Sequence, residues 1–325
     1  MQIDSSPIYP ISSLYVYADP VKRALESYVK ECGHSASQLE PIINCSIDEA
    51  IESNPDLDET LSPRILRQRI ESKSKVYIDA VLSKTKSWRS CREYIKAFSS
   101  VFLVGAGLSY DSDMPLSNAL KAILDFCGVA GWDELRKDSK RFLEFKRRFK
   151  EICDRKSPSN GHKLVIANFP KYIYEIICLN WDDLFEKAAK SINVPINKQN
   201  EDKPATSERY LWKFHGDVEN IKEDNIKGQG GWVLPDEDGF VFDSFQEYVD
   251  RTRLKEELFT FVIIGYNEGE EVIYQQIISL LEKDSPRPTY RIGLDLKNLH
   301  KDNYIVGTAE FILNKILPIS SINAS

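Results

Sequence analysis

The chain has 325 residues, of which 42% are hydrophobic and 29% are charged, a balance that is typical of a folded globular protein and excludes a disordered or fibrous one. Its formal net charge of -7 at pH 7 disfavours broad, sequence-independent binding to nucleic acid. The apolar runs are far shorter than the roughly 20 residues that span a bilayer, and the first residues do not have the pattern of a signal peptide. No membrane contact is therefore expected.

The cysteines are scattered, and none of them forms a Cys-x-x-Cys pair. In a chain of this size, that pattern is typical of reduced, mostly buried thiols in a cytoplasmic protein. The six positions are Cys32, Cys45, Cys91, Cys127, Cys153 and Cys178.

The first ninety or so residues are charged and predict helices. The predicted segments are Asp19–Glu31, Ser46–Glu52 and Pro63–Ser87, with an acidic, turn-rich stretch between the last two. Within the third segment, four apolar residues share one helix face, namely Leu66, Ile70, Tyr77 and Val81. We interpret residues 1–94 as a helical N-terminal extension, which serves either as a packing element or as a surface for self-association or a partner.

From about residue 96 the pattern changes to short apolar runs that alternate with amphipathic helices. The runs are Ser100–Val104, Tyr172–Leu179, Tyr210–Phe214, Thr260–Ile264, Tyr290–Leu294 and Tyr304–Val306. The main helical stretches between them are Leu116–Cys127, Lys137–Cys153, Asp182–Ile192 and Glu270–Leu281. This order predicts an α/β domain over residues 95–325, a Rossmann-like parallel sheet with helices on both faces. Ligands of such sheets bind at the carboxyl ends of the strands.

The loop after the first strand is Gly105-Ala106-Gly107-Leu108-Ser109. Small residues at this place let the backbone approach a phosphate, although Gly-x-Gly turns also serve as tight packing corners. The dinucleotide fingerprint of dehydrogenases requires a third glycine where this chain has Tyr110, so hydride transfer is not the natural interpretation.

Polar residues also follow the later strands. Asn180, Asp182 and Asp183 follow the second strand, and one of the two acids is expected to cap the next helix. His215 follows the third long strand, directly before a glycine, and histidine is suited to proton transfer near neutral pH. Gly265 and Asn267 follow the next strand.

Taken in order, these motifs resemble those of the sirtuin family over roughly residues 96–317. The similar segments are Val104–Ser109 with Asp113-Met114-Pro115, Pro158–His162, Leu179–Asp182, Phe214–Gly216, Gly265–Asn267, Arg291–Asp295 and Ile305–Glu310. The resemblance implies that NAD⁺ binds at these loops. It assigns cofactor binding to Gly105, Ala106, Gly107, Ser109, Pro115, Gly265, Asn267 and Asp295, and catalysis to Asn180, His215 and Asp182.

The chain also departs from the deacylase sirtuins. Their zinc module, two Cys-x-x-Cys pairs, is missing, because the interval Asp217–Ile264 contains neither cysteine nor histidine. Cys178-Leu179 stands in place of the usual Thr-Gln. In these respects the chain resembles the zinc-free sirtuin-like domains of bacterial anti-phage defence proteins, and that likeness implies hydrolysis of NAD⁺ without a zinc ion.

Three other functions stay open at this point. The domain could sense NAD⁺ or ADP-ribose without cleaving it, could act as a protein deacylase or ADP-ribosyltransferase, or could be a structural subunit with a degenerate pocket. An enzyme that drains NAD⁺ needs control. We therefore expect a homo-oligomer, or a regulatory partner such as a defence ATPase or a nucleic-acid-sensing subunit.

Overall fold

The computed structural model describes residues 13–32, 36–52, 62–83, 85–98, 100–110, 112, 117–169, 171–198, 210–213, 216–219, 259–265, 288–293, 303–307 and 309–318. The chain divides into two compact units. The first comprises residues 1–85 with 296–299, and the second comprises residues 86–295 with 300–325.

The first unit is helical, as predicted for the N-terminal extension. A short 3-10 helix, Ser13–Tyr17, leads into α1 (Ala18–Glu31), α2 (Ala36–Glu52) and α3 (Pro63–Ser83), and the three α-helices pack against one another. Helix α2 begins ten residues before the predicted Ser46 and ends at the predicted Glu52. The apolar side chains of that helix outweigh its acids, because Ile42, Ile43 and Ile47 are buried.

Helix α3 buries a face close to the predicted one. Leu66, Ile70 and Val81 are buried as expected, but Ile78 is fully buried where Tyr77 was predicted. Ser74 lies between them and donates its hydroxyl to the carbonyl oxygen of Ile70, 2.8 Å away. The buried positions therefore follow a spacing of four residues from 66 to 78.

The second unit begins with most of helix α4 (Thr85–Phe98). Within that unit Cys91 and Ile95 are fully buried in the main core, and the Trp88 ring meets Phe311 edge-on at 5.7 Å between centroids. The predicted helix Pro63–Ser87 is thus two helices in this structure. The domain boundary between residues 94 and 95 stays a prediction.

The core of the second unit is a parallel sheet, as predicted, with seven strands among the described residues. Its strands are β1 (Ser100–Val104), β2 (Ile173–Cys178), β3 (Asn197–Lys198), β4 (Tyr210–Lys213), β5 (Thr260–Ile264), β6 (Tyr290–Gly293) and β7 (Tyr304–Val306). Their order across the sheet is β3-β4-β2-β1-β5-β6-β7, and every pair is parallel. All residues of β1 and β5 are buried, so both faces of the sheet are covered, and the fold is Rossmann-like.

Six strands match the predicted apolar runs to within a residue, and the short edge strand β3 was not predicted. It consists of Asn197 and Lys198, which are polar and carry no strand signal. Phe214 and Leu294, which were predicted to end two strands, lie outside the described residues.

The described helices between β1 and β2 are α5 (Gly107–Tyr110), α6 (Ser117–Phe126), α7 (Trp132–Lys137), α8 (Ser139–Arg155) and α9 (Asn160–Asn168). Side chains of α6, α7 and α8 contribute to a second, smaller core. The predicted helix Lys137–Cys153 starts later, because the Asp138 side chain accepts hydrogen bonds from the backbone N–H groups of Lys140 and Arg141 and caps α8. Phe145 and Phe149 of α8 pack edge-on against Trp181, which follows β2.

The other two helices in the described part of the chain are α10 (Leu184–Ser191) and α11 (Ala309–Ile316), and both pack against α9. The predicted helix Glu270–Leu281 lies outside the described residues. Among the helices that the structure describes, none is both long and apolar enough to cross a bilayer. Cys32, Cys91, Cys127, Cys153 and Cys178 are free thiols, and Cys32 is exposed.

Candidate functional site

The strand order places a switch point in the centre of the sheet. From β1 the chain continues to β2 on one side, whereas from β5 it continues to β6 on the other side. Connections that leave two neighbouring strands in opposite directions open a crevice at their carboxyl ends, which is where ligands of such sheets bind. Gly105 follows β1 and Gly265 follows β5, so both glycine turns lie at this crevice.

The two glycine turns are in direct contact. The N–H group of Gly107 donates to the carbonyl oxygen of Gly265 at 2.9 Å, and a Cβ atom on Gly107 would lie 2.5 Å from the Cα atom of Gly265. Gly265 also has a φ of +68°, which L-amino acids with side chains rarely adopt. The backbones of both turns therefore approach each other more closely than any side chain would allow.

Gly265→Ala is expected to lower the free energy of unfolding by more than the roughly 1–3 kcal/mol that left-handed strain alone costs. The added methyl group would lie 2.6 Å from the Cα atom of Gly107 as well as being strained. Gly128→Ala is the matched control, because Gly128 has the same φ of +68° but no neighbouring atom within 4 Å of the new methyl group. Urea unfolding of both variants measures the difference, and equal losses would contradict the close packing of the turns.

A chain of hydrogen bonds links the loop after β1 to the loop after β2. Asn180 donates from Nδ2 to the carbonyl oxygen of Gly105 at 3.1 Å and to Ser109 Oγ at 3.0 Å. Ser109 in turn donates its hydroxyl to Asp182 Oδ2 at 2.8 Å. The structure thus brings together four residues that sequence analysis had placed in one site.

This series of hydrogen bonds determines which atom of the Asn180 amide can bind a ligand. An amide nitrogen has two hydrogens, and here one is directed to Gly105 and the other to Ser109. The carbonyl oxygen of the amide has no hydrogen-bond partner among the described residues and could accept a hydrogen bond from a ligand. Asn180 is half-buried, so its side chain is held in place without being sealed from the crevice.

Asp182 is buried, and its carboxylate stabilises the loop after β2 through hydrogen bonds. Its Oδ1 atom accepts the N–H group of Leu184 at 3.1 Å, while Asp183, at the N-cap position of α10, makes no capping bond with its side chain. Asp182 is therefore the predicted capping acid. Burial raises the pKa of Asp182, and this effect is opposed by the cation of Lys213 and by the hydrogen bonds from Ser109 and Leu184.

Comparisons with known proteins agree with the predicted family. Residues 174–302 match the model of the SIR2-like domain. This part of the chain is similar to a SIR2-like domain. A search of curated proteins finds no match.

Solved structures similar to the chain are Sir2 proteins. A structure described as a Sir2 homologue–NAD complex is 14% identical, with a TM-score of 0.49, 70% of this chain covered and 92% of the other. A structure from a study of the mechanism and regulation of Sir2 enzymes is 17% identical, with a TM-score of 0.48, 71% of this chain covered and 96% of the other.

Ser109 and Ala106 have different surroundings in the loop that precedes the SIR2-like match. Ser109 is buried, its N–H group donates to the carbonyl oxygen of Ala106 at 3.0 Å, and its hydroxyl is directed to Asp182. Ala106 is exposed at the tip of the turn. In this structure Ser109 connects Asn180 to Asp182, and its contact with a pyrophosphate stays a prediction.

Four predicted site residues lie outside the described residues, namely Pro115, His215, Asn267 and Asp295. The structure does describe residues on both sides of His215. Lys213 ends β4, and Gly216 has a positive φ of 108°. The assignments of the four residues remain predictions.

Sequence analysis missed Lys213. Its Nζ atom donates to the main-chain oxygen of Asp182 and lies 3.5 Å from Glu186 Oε1 and 3.9 Å from Asp217 Oδ1. The available signal was a lysine at the end of an otherwise apolar strand, because charged side chains are rarely buried unless they are paired.

The Pro158–His162 segment of the resemblance begins helix α9 of the SIR2-like fold. Ser159 caps the helix, and its hydroxyl lies 2.9 Å from His162 Nδ1, while its N–H group donates to Ser112 Oγ at 2.9 Å. His162 is fully buried beside the Phe185 ring, and its Nε2 atom has no hydrogen-bond partner among the described residues. Burial first, and the cation of Lys213 second, lower the pKa of His162 to about 3.

This histidine predicts a loss of stability in acid. Because its pKa falls from about 6.5 to about 3 on folding, the unfolded chain binds the extra proton between these values, and stability declines as pH falls below about 6.5. Each pH unit in that window costs up to about 1.4 kcal/mol for one proton. Chemical unfolding at pH 7 and pH 5 is expected to show a smaller acid loss in His162→Gln than in wild type. Equal losses in both proteins would contradict the prediction, since their carboxylates titrate alike.

One acidic group among the described residues has the spacing of a metal site, and it consists of Asp154, Asp183 and Glu219. Lys150 pairs with Asp154 and Glu219, and Lys187 pairs with Asp183 at 3.0 Å. Each carboxylate thus pairs with one of two lysines, and we interpret the group as an ion-pair network of the second unit. The expectation that the protein holds no zinc stays a prediction.

Proposed function

We propose that the protein is an NAD⁺ hydrolase, which cleaves the nicotinamide–ribose bond and releases nicotinamide and ADP-ribose. The observation that carries the proposal is the chain from Asn180 through Ser109 to Asp182, which lies beside two touching glycine turns at the switch point of the sheet. The match to the SIR2-like domain and the sirtuin motifs support NAD⁺ as the ligand.

The glycine turns are suited to the pyrophosphate of NAD⁺. Gly105, Gly107 and Gly265 present backbone where a side chain would keep a phosphate away, and Ala106 is exposed between them. We assign Gly105, Ala106, Gly107 and Ser109 to the pyrophosphate side. Gly265 and Asn267 would line the adenosine side, with Asp295 for its ribose and Pro115 at the turn after the first loop.

Asn180 and Asp182 would act on the nicotinamide ribose. The reaction passes through an oxocarbenium-like transition state, so the site must hold the ribose and admit water from one direction. The carbonyl oxygen of Asn180 would accept a hydrogen bond from a ribose hydroxyl or from the attacking water. Asp182 would keep Asn180 in position, because it holds the serine on which the amide rests.

His215 would be the general base. It follows β4 in the chain, between Lys213 and Gly216, and a neutral imidazole would take a proton from a ribose hydroxyl or from water. Nicotinamide leaves as a neutral molecule and needs no acid. The reaction therefore needs one base, His215, and one orienting amide, Asn180.

Uncontrolled cleavage of NAD⁺ would harm the cell that makes the enzyme. We propose that the protein is an NAD⁺-depleting effector of bacterial anti-phage defence that works in the cytoplasm. Its activity would be controlled by self-association or by a partner protein, and the helical first unit, α1 to α3, offers a surface for that control.

The experiment is to incubate the purified chain with NAD⁺ and to separate the products by chromatography, with and without an acyl-lysine peptide. The proposal predicts equal amounts of nicotinamide and ADP-ribose at a rate that the peptide does not change. Release that requires the peptide would instead identify a deacylase. Binding of NAD⁺ in calorimetry without any release, also after addition of cell extract, would identify a sensing module.

A further inference from the structure

Lys213 is a buried cation beside the loop after β2, and the proposed mechanism gives it no role. Its side chain is only 7% exposed. Burial by itself lowers the pKa of Lys213, but the neighbouring groups, led by the Glu186 carboxylate, together raise it above its ordinary value. The side chain is therefore charged at neutral pH.

The contacts of Lys213 connect three segments of the chain. Its ammonium group donates to the main-chain oxygen of Asp182 in the loop after β2, and it lies 3.5 Å from Glu186 Oε1 in α10. It also lies 3.9 Å from Asp217 Oδ1 in the turn after β4. Hydrogen bonds thus join the ammonium group to Asp182 and Glu186, and Asp217 lies at ion-pair distance.

A second contact joins the same loop to the same turn. The N–H group of Val218 donates to the main-chain oxygen of Trp181 at 2.8 Å. Trp181 and Asp182 are consecutive, so their two carbonyl groups are both fixed from the β4 side. Asn180, which must present its amide, is directly next to this pair.

We propose that Lys213 is a positioning residue for NAD⁺ cleavage: by binding the Asp182 carbonyl from β4, it holds the loop that carries Asn180 in its reactive geometry. This inference rests on the proposed function. Lys213 does not touch the reacting atoms and acts through the loop. A small displacement of Asn180 would slow the chemical step, while the glycine turns would still bind the dinucleotide.

The test compares Lys213→Met with wild type in full kinetics of nicotinamide release. We expect kcat to fall about 10- to 100-fold and KM to change less than about 3-fold, because loss of a group that orients the reaction affects the transition state more than ground-state binding. Lys96→Met is the control. Lys96 is exposed and pairs at 3.2 Å with Glu93 of its own helix, α4, so its removal is expected to leave kcat unchanged.

A double variant separates positioning from charge balance. Lys213→Met leaves the half-buried Glu186 without this cation, and Lys213→Met combined with Glu186→Gln removes that charge as well. We expect the double variant to recover thermal stability but not kcat. Recovery of both quantities would overturn the proposal, because Lys213 would then only balance charge. A wild-type kcat in the single variant would overturn it too.

Hydrogen exchange tests the positioning role of Lys213 without a measurement of activity. The N–H groups of Leu184 and Val218 are bonded to Asp182 and Trp181, so they report on the loop itself. We expect both to exchange at least about 10-fold faster in Lys213→Met, while amides of β1 stay protected. Unchanged exchange would overturn the positioning role. If wild type were inactive while exchange were still faster in Lys213→Met, the proposed NAD⁺ cleavage would be contradicted. The role of Lys213 in holding the loop would stand.

Discussion

His215→Ala is expected to reduce nicotinamide release from NAD⁺ by about 10²- to 10⁴-fold, which is the usual contribution of a general base. The imidazole is the assigned acceptor of the proton that a ribose hydroxyl or water must lose, and alanine offers no replacement. The measurement is the initial rate of nicotinamide release at saturating NAD⁺, followed by chromatography at pH 7.5.

The variant must stay folded for this result to count. Its circular dichroism and melting temperature are expected to match wild type to within a few degrees. His34→Ala is a control of the same type, because His34 precedes the α/β unit in the sequence and is expected to leave the rate unchanged. Wild-type turnover by His215→Ala would remove the base from the mechanism.

Asn180→Ala is expected to lower the same rate by at least about 100-fold, because removal of an orienting group costs that much when reacting atoms are misplaced by about 1 Å. The variant loses the carbonyl oxygen assigned to the ribose and both amide bonds, to Gly105 and Ser109. Calorimetric titration with NAD⁺ is expected to show binding that is weakened much less than turnover.

Asn168 provides a matched control for a buried asparagine. It is fully buried in α9, and its Nδ2 atom donates to the Leu164 carbonyl oxygen at 2.8 Å, within the same helix. Asn168→Ala is expected to lose stability but to keep its turnover per folded molecule. If Asn180→Ala and Asn168→Ala lost turnover equally, the amide of Asn180 would have no special part in the reaction.

The sheet could be predicted because each strand is a short, fully buried apolar run. Five consecutive buried residues in β1 and in β5 leave no polar position that could suggest another element. Strand β3 lacks that signal because both of its residues are polar. Only its pairing with β4 in the structure identifies it as a strand. The start of α2 was missed because the sequence upstream of Ser46 is only weakly amphipathic and contains Pro41.

The site could be predicted only as a set of loops. The carboxyl ends of parallel strands lie at one edge of the sheet, so Gly105, Asn180 and Gly265 were placed near one another from their positions in the chain. The partner of each side chain could not be derived in this way. Ser109 was expected to face a phosphate, yet in the structure it bonds to Asn180 and Asp182, 71 and 73 residues away.

The burial of Lys213 could not be predicted from the sequence either. A lysine at the end of a strand is usually solvated, and its burial became evident only once Asp182, Glu186 and Asp217 were found around it. Two carboxylates and one main-chain carbonyl make a buried cation tolerable, and no local sequence pattern reports that they converge on it.

The most direct test of the central claim is the release of nicotinamide from NAD⁺ by the full-length wild-type chain, without peptide and with Asn180→Ala measured in parallel. The account predicts steady release with an equal amount of ADP-ribose by wild type, and release slower by at least about 100-fold by the variant. Equal release by both proteins would contradict it. No release by wild type, at any protein concentration and with cell extract added, would contradict it as well.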